Sequence, residues 1–338
     1  MPVPRKRPPT IADVARVARV SLPTVSRVLT GSVPVRDSTR DRVLAAIREL
    51  GYRPNGAARA LVQGQQPIVG VVTHDTLAHG LARMIVGIED QARRNGHVVA
   101  IAVLDPADPE STDTALDVLL AQPIVGVIVL DHHMYDAERL RARLGAVPVA
   151  TVTSSDDVEA GVPHVLVDDR RAAKEITQHL LRLGHTTVHH VTVPGPHGGP
   201  QGRELGWSEA LIEAGAPVPP VYRSDWSLES GLAAGAALAR DGSATAVFCW
   251  NDELAFGVMR SLHEAGRRVP DDVSVVGIDD QPLARAWVPS LTTYRLDFDW
   301  AGRAAFELLV DPVCGVEAAG ATSSGLIVRE STAPPAGH

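Results

Sequence analysis

Arg203, Asn251 and Asp279 lie far apart in the chain, yet together they could hold the adjacent hydroxyls of a sugar. Arg203 brings a fork of N–H donors, Asn251 an amide that both donates and accepts, and Asp279 a carboxylate that accepts. A hydroxyl, donor and acceptor at once, needs such a mixture. Trp226, within SDWS, and Phe298 add flat apolar surface of the kind that covers a sugar ring. Nearer the N-terminus a second set, Leu22, Pro23, Thr24, Ser26 and Arg27, falls in one short stretch. Hydroxyls, a guanidinium and small apolar groups are what meet base edges and phosphates. Both sets recognise; neither breaks bonds. The chain has no G-x-S-x-G nucleophile elbow, and its loop GPHGG fits neither the G-x-G-x-x-G nor the P-loop pattern. His132-His133, His189-His190 and His74 with His79 lack the i, i+4 spacing with a carboxylate that would hold zinc. An enzyme, a cofactor and a metal site are therefore not expected.

The elements that present the N-terminal set are short helices. Thr10 can cap a helix with Asp13 three residues on, each side chain satisfying a backbone N–H at the helix entrance. Ile11, Val14, Ala15 and Ala18 follow at helical spacing. After a break at Arg19-Val20-Ser21, Ser21 starts a second helix in which Pro23 is tolerated in the first turn. Val25, Val28 and Leu29 form its buried stripe and leave the recognition set outside. The turn usually wants glycine for positive φ; Arg19 stands there instead, at a strain of roughly 1 kcal/mol. A third helix over Asp37–Leu50 turns Val43, Ala46, Ile47 and Leu50 inward and ends at Gly51, in the position that favours a left-handed cap. Arg36 replaces the usual small cap before it, leaving Asp37 to meet the helix N-terminus. Three such helices read as a helix-turn-helix that lays its second helix in the major groove, or as a small bundle for protein contact. Charge separates the two readings. Residues 1–63 carry 12 Lys+Arg against 4 Asp+Glu, and the remainder 20 against 36. A basic head on an acidic body is the footprint of a phosphate-binding module on a body that avoids nucleic acid. Residues 1–9 read as a basic arm that adds phosphate contacts, or equally as a solubilising tail.

Beyond residues 64–67 the pattern becomes apolar strands alternating with helices. Strands are expected at 68–74, 97–103, 125–131 and 147–153, then, from a second round starting near His164, at 186–193, 218–222, 245–250 and 273–278. Helices are expected near 80–95, 111–121, 136–144, 169–183, 203–214, 228–239 and 252–265. Continuous apolar strands with intervening helices mark parallel sheets covered on both faces, and two rounds make a bilobed body with a cleft. Ligands of such sheets bind beyond the carboxyl ends of the strands. The loops there are residues 74–84, Thr153, residues 195–203, Trp250-Asn251-Asp252 and residues 277–280, which is where the first set sits. At 338 residues, 45% apolar and 21% charged, the chain is long enough for two or three globular domains. No apolar run reaches a membrane span and MPVPRKRPP lacks a signal-peptide core, so a cytoplasmic protein without membrane contact is expected. Cys249 and Cys314 make no disulfide framework and read as plain thiols.

The run TIADVARVARVSLPTVSRVLTGS, followed by VLAAIRELGYRPNGAARAL, resembles the head of the lactose-repressor (LacI/GalR) family of bacterial transcription regulators, and the likeness continues to about Pro334. The resemblance implies an all-α helix-turn-helix head followed by a bilobed α/β body like the periplasmic binding proteins, with two parallel sheets. It implies a basic arm over residues 1–9, a DNA-binding domain over 10–54, and a hinge helix and linker over 55–67. The first lobe would comprise 68–164 with 294–322, and the second 165–293 with 323–338 including a closing strand over 325–332. Crossovers near 162–166, 290–294 and 320–324 would be hinges, and a helix over 298–309 would return the chain to the first lobe. The expected DNA contacts are Thr10, Ser21, Leu22, Pro23, Thr24, Ser26 and Arg27, with Asn55, Ala58 and Leu61 in the hinge helix, where Leu61 would wedge into the central minor groove. The match to the family's sugar-contacting positions is residue for residue at Arg203, Trp226, Asn251, Asp279 and Phe298, and by position only at Ala78, Gly80, Leu81 and Met84. Thr153 and Leu130 stand where the lactose repressor has an aspartate and an asparagine in the first lobe. The expected partners are palindromic double-stranded operator DNA, a small sugar effector, a galactoside-like glycoside first, and a second copy of the chain. With no leucine-heptad tail after TAPPAGH the assembly expected is a dimer. The whole reads as a repressor of carbohydrate-use genes, released by sugar. A sugar-binding transport protein would share the body but carry an export signal; a sugar-modifying enzyme would turn its ligand over; a corepressor-dependent regulator would need ligand to bind DNA.

Overall fold

Hydrophobic periodicity changes near residue 67, and the fold changes with it. The chain divides into two compact units, Met1–Gln66 and Pro67–His338. The computed structural model describes residues 9–30, 34–52, 68–105, 107–130, 135, 137–154, 161–195, 199–311 and 324–336.

The first unit holds helices α1 (Ile11–Ala18), α2 (Leu22–Thr30) and α3 (Asp37–Leu50). Val14, Ala15, Ala18, Val25, Val43, Ala46 and Tyr52 bury together as its core. Thr10 and Asp13 close the capping box: the Thr10 N–H donates to Asp13 Oδ2 at 2.9 Å and the Asp13 N–H to Thr10 Oγ1 at 3.4 Å. The Thr10 N–H and hydroxyl, both donating to the Asp13 carboxylate, with the guanidinium of Arg16, hold that carboxyl down at about 2. Arg19 adopts the left-handed conformation, φ 54°, and the Val20 N–H reaches back to the Ala15 carbonyl to end the helix. Gly51 closes α3 at φ 60°. Arg36 makes no side-chain cap, and Asp37 lies in the first turn of α3.

The second unit contains two doubly wound sheets. The first is ordered β2-β1-β3-β4-β5, all parallel: β1 (Ile68–Thr73), β2 (Val98–Val103), β3 (Ile124–Leu130), β4 (Val149–Thr153) and β5 (His164–Leu166). Helices α4 (His79–Arg94), α5 (Pro109–Leu120) and α6 (Ala137–Leu144) connect its strands. The second sheet, ordered β11-β10-β9-β8-β6-β7, uses β6 (His189–Thr192), β7 (Tyr222–Arg223), β8 (Ala246–Cys249), β9 (Ser274–Ile278), β10 (Thr292–Arg295) and β11 (Gly325–Ile327). Helices α7 (Asp169–Arg182), α8 (Gly202–Glu213), α9 (Leu228–Arg240) and α10 (Asp252–Glu264) serve it, and α11 (Phe298–Val310) packs back on α4 and the first sheet. From β7 to β10 the second sheet repeats the strand order of the first; β11 is an antiparallel addition. In both sheets the order reverses beside the first strand, so that the loops after β1, β6 and β8 open the crevice where a ligand can sit.

Several expectations shift. The strand expected at 218–222 is reduced to Tyr222–Arg223, because Pro217, Pro219 and Pro220 have no amide to donate to a ladder. Two segments expected as crossovers are strands: His164–Leu166 pairs with β4, and Thr292–Arg295 pairs with β9 and β11. Val165 and Thr292, Thr293 and Tyr294 are buried, as β-branched and aromatic side chains in strands favour. The first sheet thus extends to Leu166, beyond the expected boundary at 164, and the chain re-enters the first lobe after Arg295 rather than at 294. The closing strand covers Gly325–Ile327 alone. Beyond it the chain is held by backbone bonds at Ser331, whose N–H donates to the Ser290 carbonyl and whose carbonyl accepts from the Val275 N–H, and by side chains, with Ser331 Oγ donating to the Val275 carbonyl at 2.6 Å and Arg329 Nη1 to the Leu291 carbonyl at 2.7 Å. Leu130 is fully buried in the core. His189 and His190 are buried strand residues, and Cys249 is a buried thiol that its surroundings hold in the neutral form. No helix among the described residues is long and apolar enough to cross a membrane. Asn55, Ala58, Leu61, His132, His133, Cys314 and the crossover over 320–323 lie outside the described residues.

Candidate functional site

On α2 the buried side chain is Val25, and Leu22, Pro23 and Arg27 face solvent, Leu22 at 47% exposure. Thr24 and Ser26 are half-buried beside them. Ser21 precedes the helix; its carbonyl accepts from the Thr24 and Val25 amides, and its hydroxyl pairs with Thr24 Oγ1 at 2.8 Å rather than with an amide. Arg27 has no ion-pair partner among the described residues, so its guanidinium is available to an anion. Thr10 is engaged in its capping box and half-buried.

In the second unit a cavity of about 270 Å³ opens at the carboxyl ends of both sheets. All ten residues expected at the effector site line it: Ala78, Gly80, Leu81, Met84 and Thr153 from the first lobe, Arg203, Trp226, Asn251 and Asp279 from the second, and Phe298 from the returning helix. The walls differ. The first lobe supplies a mainly apolar face that includes Leu77 and Val152, with Gly80 lying so close that a Cβ there would press on the Phe298 ring. The second lobe supplies the polar face.

Arg203, in the first turn of α8, is 6% exposed. It donates to the Trp250 carbonyl and to Asp169 Oδ1, the latter at 3.0 Å, and its guanidinium carbon stands 4.7 Å from the Trp250 ring centre. Its Nε is buried with no protein partner. Asn251 caps α10, Oδ1 accepting the Leu254 amide at 2.9 Å. One acceptor position of the amide oxygen is therefore spent on the cap, while its Nδ2 donors remain. Asp279 follows β9 with φ 117°, a region side chains rarely occupy and a strain of roughly 1–3 kcal/mol. Its carboxylate accepts no hydrogen bond among the described residues. Burial pushes it well above the usual carboxylate range; Arg203 opposes that rise, and Asp252 and Asp169 add to it. Trp226 sits at the rim, 40% exposed, edge-on to Trp250 at 5.8 Å.

The lining also includes His74, Asp75, Asp169, Gln201, Trp250 and Glu253, which residue type did not single out. Buried His74 Nδ1 and Gln201 Nε2 lack partners, as Arg203 Nε does. The signal for all but Asp169 and Glu253 was position, since they fall in the loops after strands that the parallel-sheet rule marks.

A family model described as "Bacterial regulatory proteins, lacI family" matches residues 10–55, and one described as "Periplasmic binding protein-like domain" matches residues 177–332. The lactose operon repressor of Escherichia coli (strain K12) is 31% identical over 308 residues, spanning 90% of this chain and 84% of that one. The chain belongs to the lacI family of bacterial regulatory proteins. It is a DNA-binding transcription regulator, and the resemblance carried by its first 61 residues is borne out. Two solved structures extend the likeness to the whole fold. The lac repressor dimer bound to operator and the anti-inducer ONPF superposes with a TM-score of 0.81 at 29% identity, covering 97% of this chain and 100% of that one. The transcriptional regulator CelR–cellobiose complex gives 0.68 at 29% identity, covering 96% and 99%.

Proposed function

We propose that this lacI-family regulator is a dimeric repressor of carbohydrate-use genes whose cavity takes an uncharged saccharide, and that the saccharide releases it from a near-palindromic operator. The observation that carries this reading is the convergence of Arg203, Asn251 and Asp279 on one cavity between apolar and aromatic walls, with an N–H donor and a carboxylate left unpartnered. Buried polar atoms need partners, and ring hydroxyls supply both kinds. Charge narrows the ligand class. Asp75, Asp169 and Glu253 line the cavity against the single guanidinium of Arg203, itself bonded to Asp169, while burial holds Asp279 toward its neutral form. Such a lining repels sugar phosphates and uronates. Of the neutral candidates a galactoside-like glycoside comes first, with a second sugar or aglycone reaching the rim at Leu77 and Trp226; the relatives supporting this are a lactose operon repressor and a CelR in complex with cellobiose.

On the DNA side Leu22, Pro23, Thr24, Ser26 and Arg27 meet base edges and nearby phosphates, Thr10 and Ser21 flank them, and Asn55, Ala58 and Leu61 act in the hinge segment. A lac repressor dimer bound to operator supports both the duplex and the second copy as partners. The ligand is recovered unchanged, since the chain is a regulator and not an enzyme, and it works in the cytoplasm beside its DNA. Thermal-shift and calorimetric screening tests the reading with lactose, cellobiose, methyl β-galactoside and sugar phosphates, each with and without DNA from upstream of the chain's own gene. A neutral saccharide should bind and lower DNA affinity, and the phosphates should not. Binding of phosphates alone, or no saccharide effect on DNA, overturns it.

A further inference from the structure

Three successive backbone amides after β9 are each tied down. The Asp279 N–H donates to the Tyr294 carbonyl at 2.9 Å, the Asp280 N–H to Thr293 Oγ1 at 3.2 Å, and the Gln281 N–H to Asp252 Oδ2 at 2.8 Å. The Thr293 hydroxyl in turn donates a hydrogen bond to Asp252 Oδ1 at 2.6 Å. Two of the three amides therefore end on one carboxylate, directly or through a hydroxyl. That carboxylate is fully buried and does not line the cavity. Nor does it cap α10, a task that Asn251 performs. It lies so close to β9 that a Cβ at Gly277 would overlap Asp252 Oδ1.

The held segment contains two aspartates at positive φ, Asp279 at 117° and Asp280 at 49°. Neither conformation is favourable for a residue with a side chain, so the surroundings must impose them. Asp280 is fixed from its other side: its carboxylate accepts from Arg295 Nε and Nη2 at 2.9 and 2.6 Å and from Arg329 Nη2 at 2.5 Å. The side chain that remains for the cavity is that of Asp279.

We propose that Asp252 is a positioning residue for the effector: by holding the Gln281 amide directly and the Asp280 amide through Thr293, it keeps the loop in the strained conformation that presents Asp279 to the ligand. This rests on the cavity being the saccharide site. Removing the clasp lets the loop relax toward negative φ and turns the Asp279 carboxylate from its place, whereas the other lining residues stay on their own helices and strands.

The test is calorimetric titration of the full chain with whichever of lactose, cellobiose and methyl β-galactoside the wild type binds most tightly. Asp252→Asn and Thr293→Val should each weaken binding tenfold or more, about 1.4 kcal/mol. Thr293→Ser, which restores the hydroxyl, should return it to within about twofold of wild type. Because Asp252 acts through Asp279, the double variant Asp252→Asn with Asp279→Asn should bind no more weakly than Asp279→Asn alone. If Asp252→Asn does not fold, the contrast between Val and Ser at position 293 decides. Unchanged affinity in folded Asp252→Asn or Thr293→Val, failure of Thr293→Ser to rescue, or losses that multiply in the double variant would overturn the inference while leaving the saccharide site standing. If the wild type binds none of the three sugars, the site reading itself fails and the inference with it.

Discussion

At position 251 one side chain carries two duties that different substitutions can separate. Asn251→Asp keeps an oxygen for the Leu254 amide but removes the Nδ2 donors and adds a charge beside Asp279 and Glu253. Saccharide affinity should fall tenfold or more with little change in melting temperature, read by calorimetry and thermal denaturation. Asn251→Ala should lose the cap as well, at about 1 kcal/mol. His190 offers a second test at this scale. Its ring is fully buried, stacked on Phe248 at 4.4 Å, with Nδ1 bonded to the Phe248 carbonyl at 2.9 Å. Burial pushes its pKa down to about 3, against the opposing pull of that carbonyl. A pKa depressed on folding means the unfolded chain binds a proton that the folded chain refuses, so stability is lost as pH falls from about 6.5 toward 3. Relative to His190→Gln, the wild type should lose stability across that window at up to about 1.4 kcal/mol per pH unit, measured by urea denaturation. Position after the strands, together with residue type, was enough to bring Arg203, Asn251 and Asp279 into view on one cavity, because their donors and acceptors complement hydroxyls. It did not separate hydroxyl binding from helix capping at Asn251, whose oxygen meets the Leu254 amide only three residues on, and it could not reveal that Asp279 is strained. That strain depends on neighbours distant in the chain, Asp252, Thr293 and Tyr294.

Between elements, close approach of helices is set by glycine. A Cβ at Gly87 on α4 would run into the Asp299 carbonyl at the start of α11, and a Cβ at Gly302 on α11 would run into the Met84 carbonyl on α4. Each helix thus leaves a notch for the backbone of the other. Gly87→Ala should push them apart and destabilise the fold by about 1–3 kcal/mol, seen as a lower denaturation midpoint. Since Met84 and Phe298 lie on those helices and line the cavity, saccharide affinity should fall with it. The long apolar strands and their helices were legible because runs such as IVGVVT and SVVGI read as nothing else in an alternating pattern. The strands over His164–Leu166 and Thr292–Arg295 were not: three or four residues carry too little pattern, and what makes them strands is a partner already in place.

Over the whole molecule the charge is split, 12 Lys+Arg to 4 Asp+Glu in residues 1–63 and 20 to 36 in the rest. The basic part can hold phosphates while the acidic part is kept off the duplex, so DNA affinity should fall steeply with salt and saccharide affinity hardly at all. The two functions are then linked only through the fold. Linkage of that kind is reciprocal: whatever factor the saccharide takes from operator affinity, operator must take from saccharide affinity. The direct measurement pairs fluorescence-anisotropy titration of operator, with and without saturating saccharide, with calorimetric titration of saccharide, with and without operator. The account predicts two equal factors, each well above one. A saccharide that binds the cavity while operator affinity stays the same would contradict it.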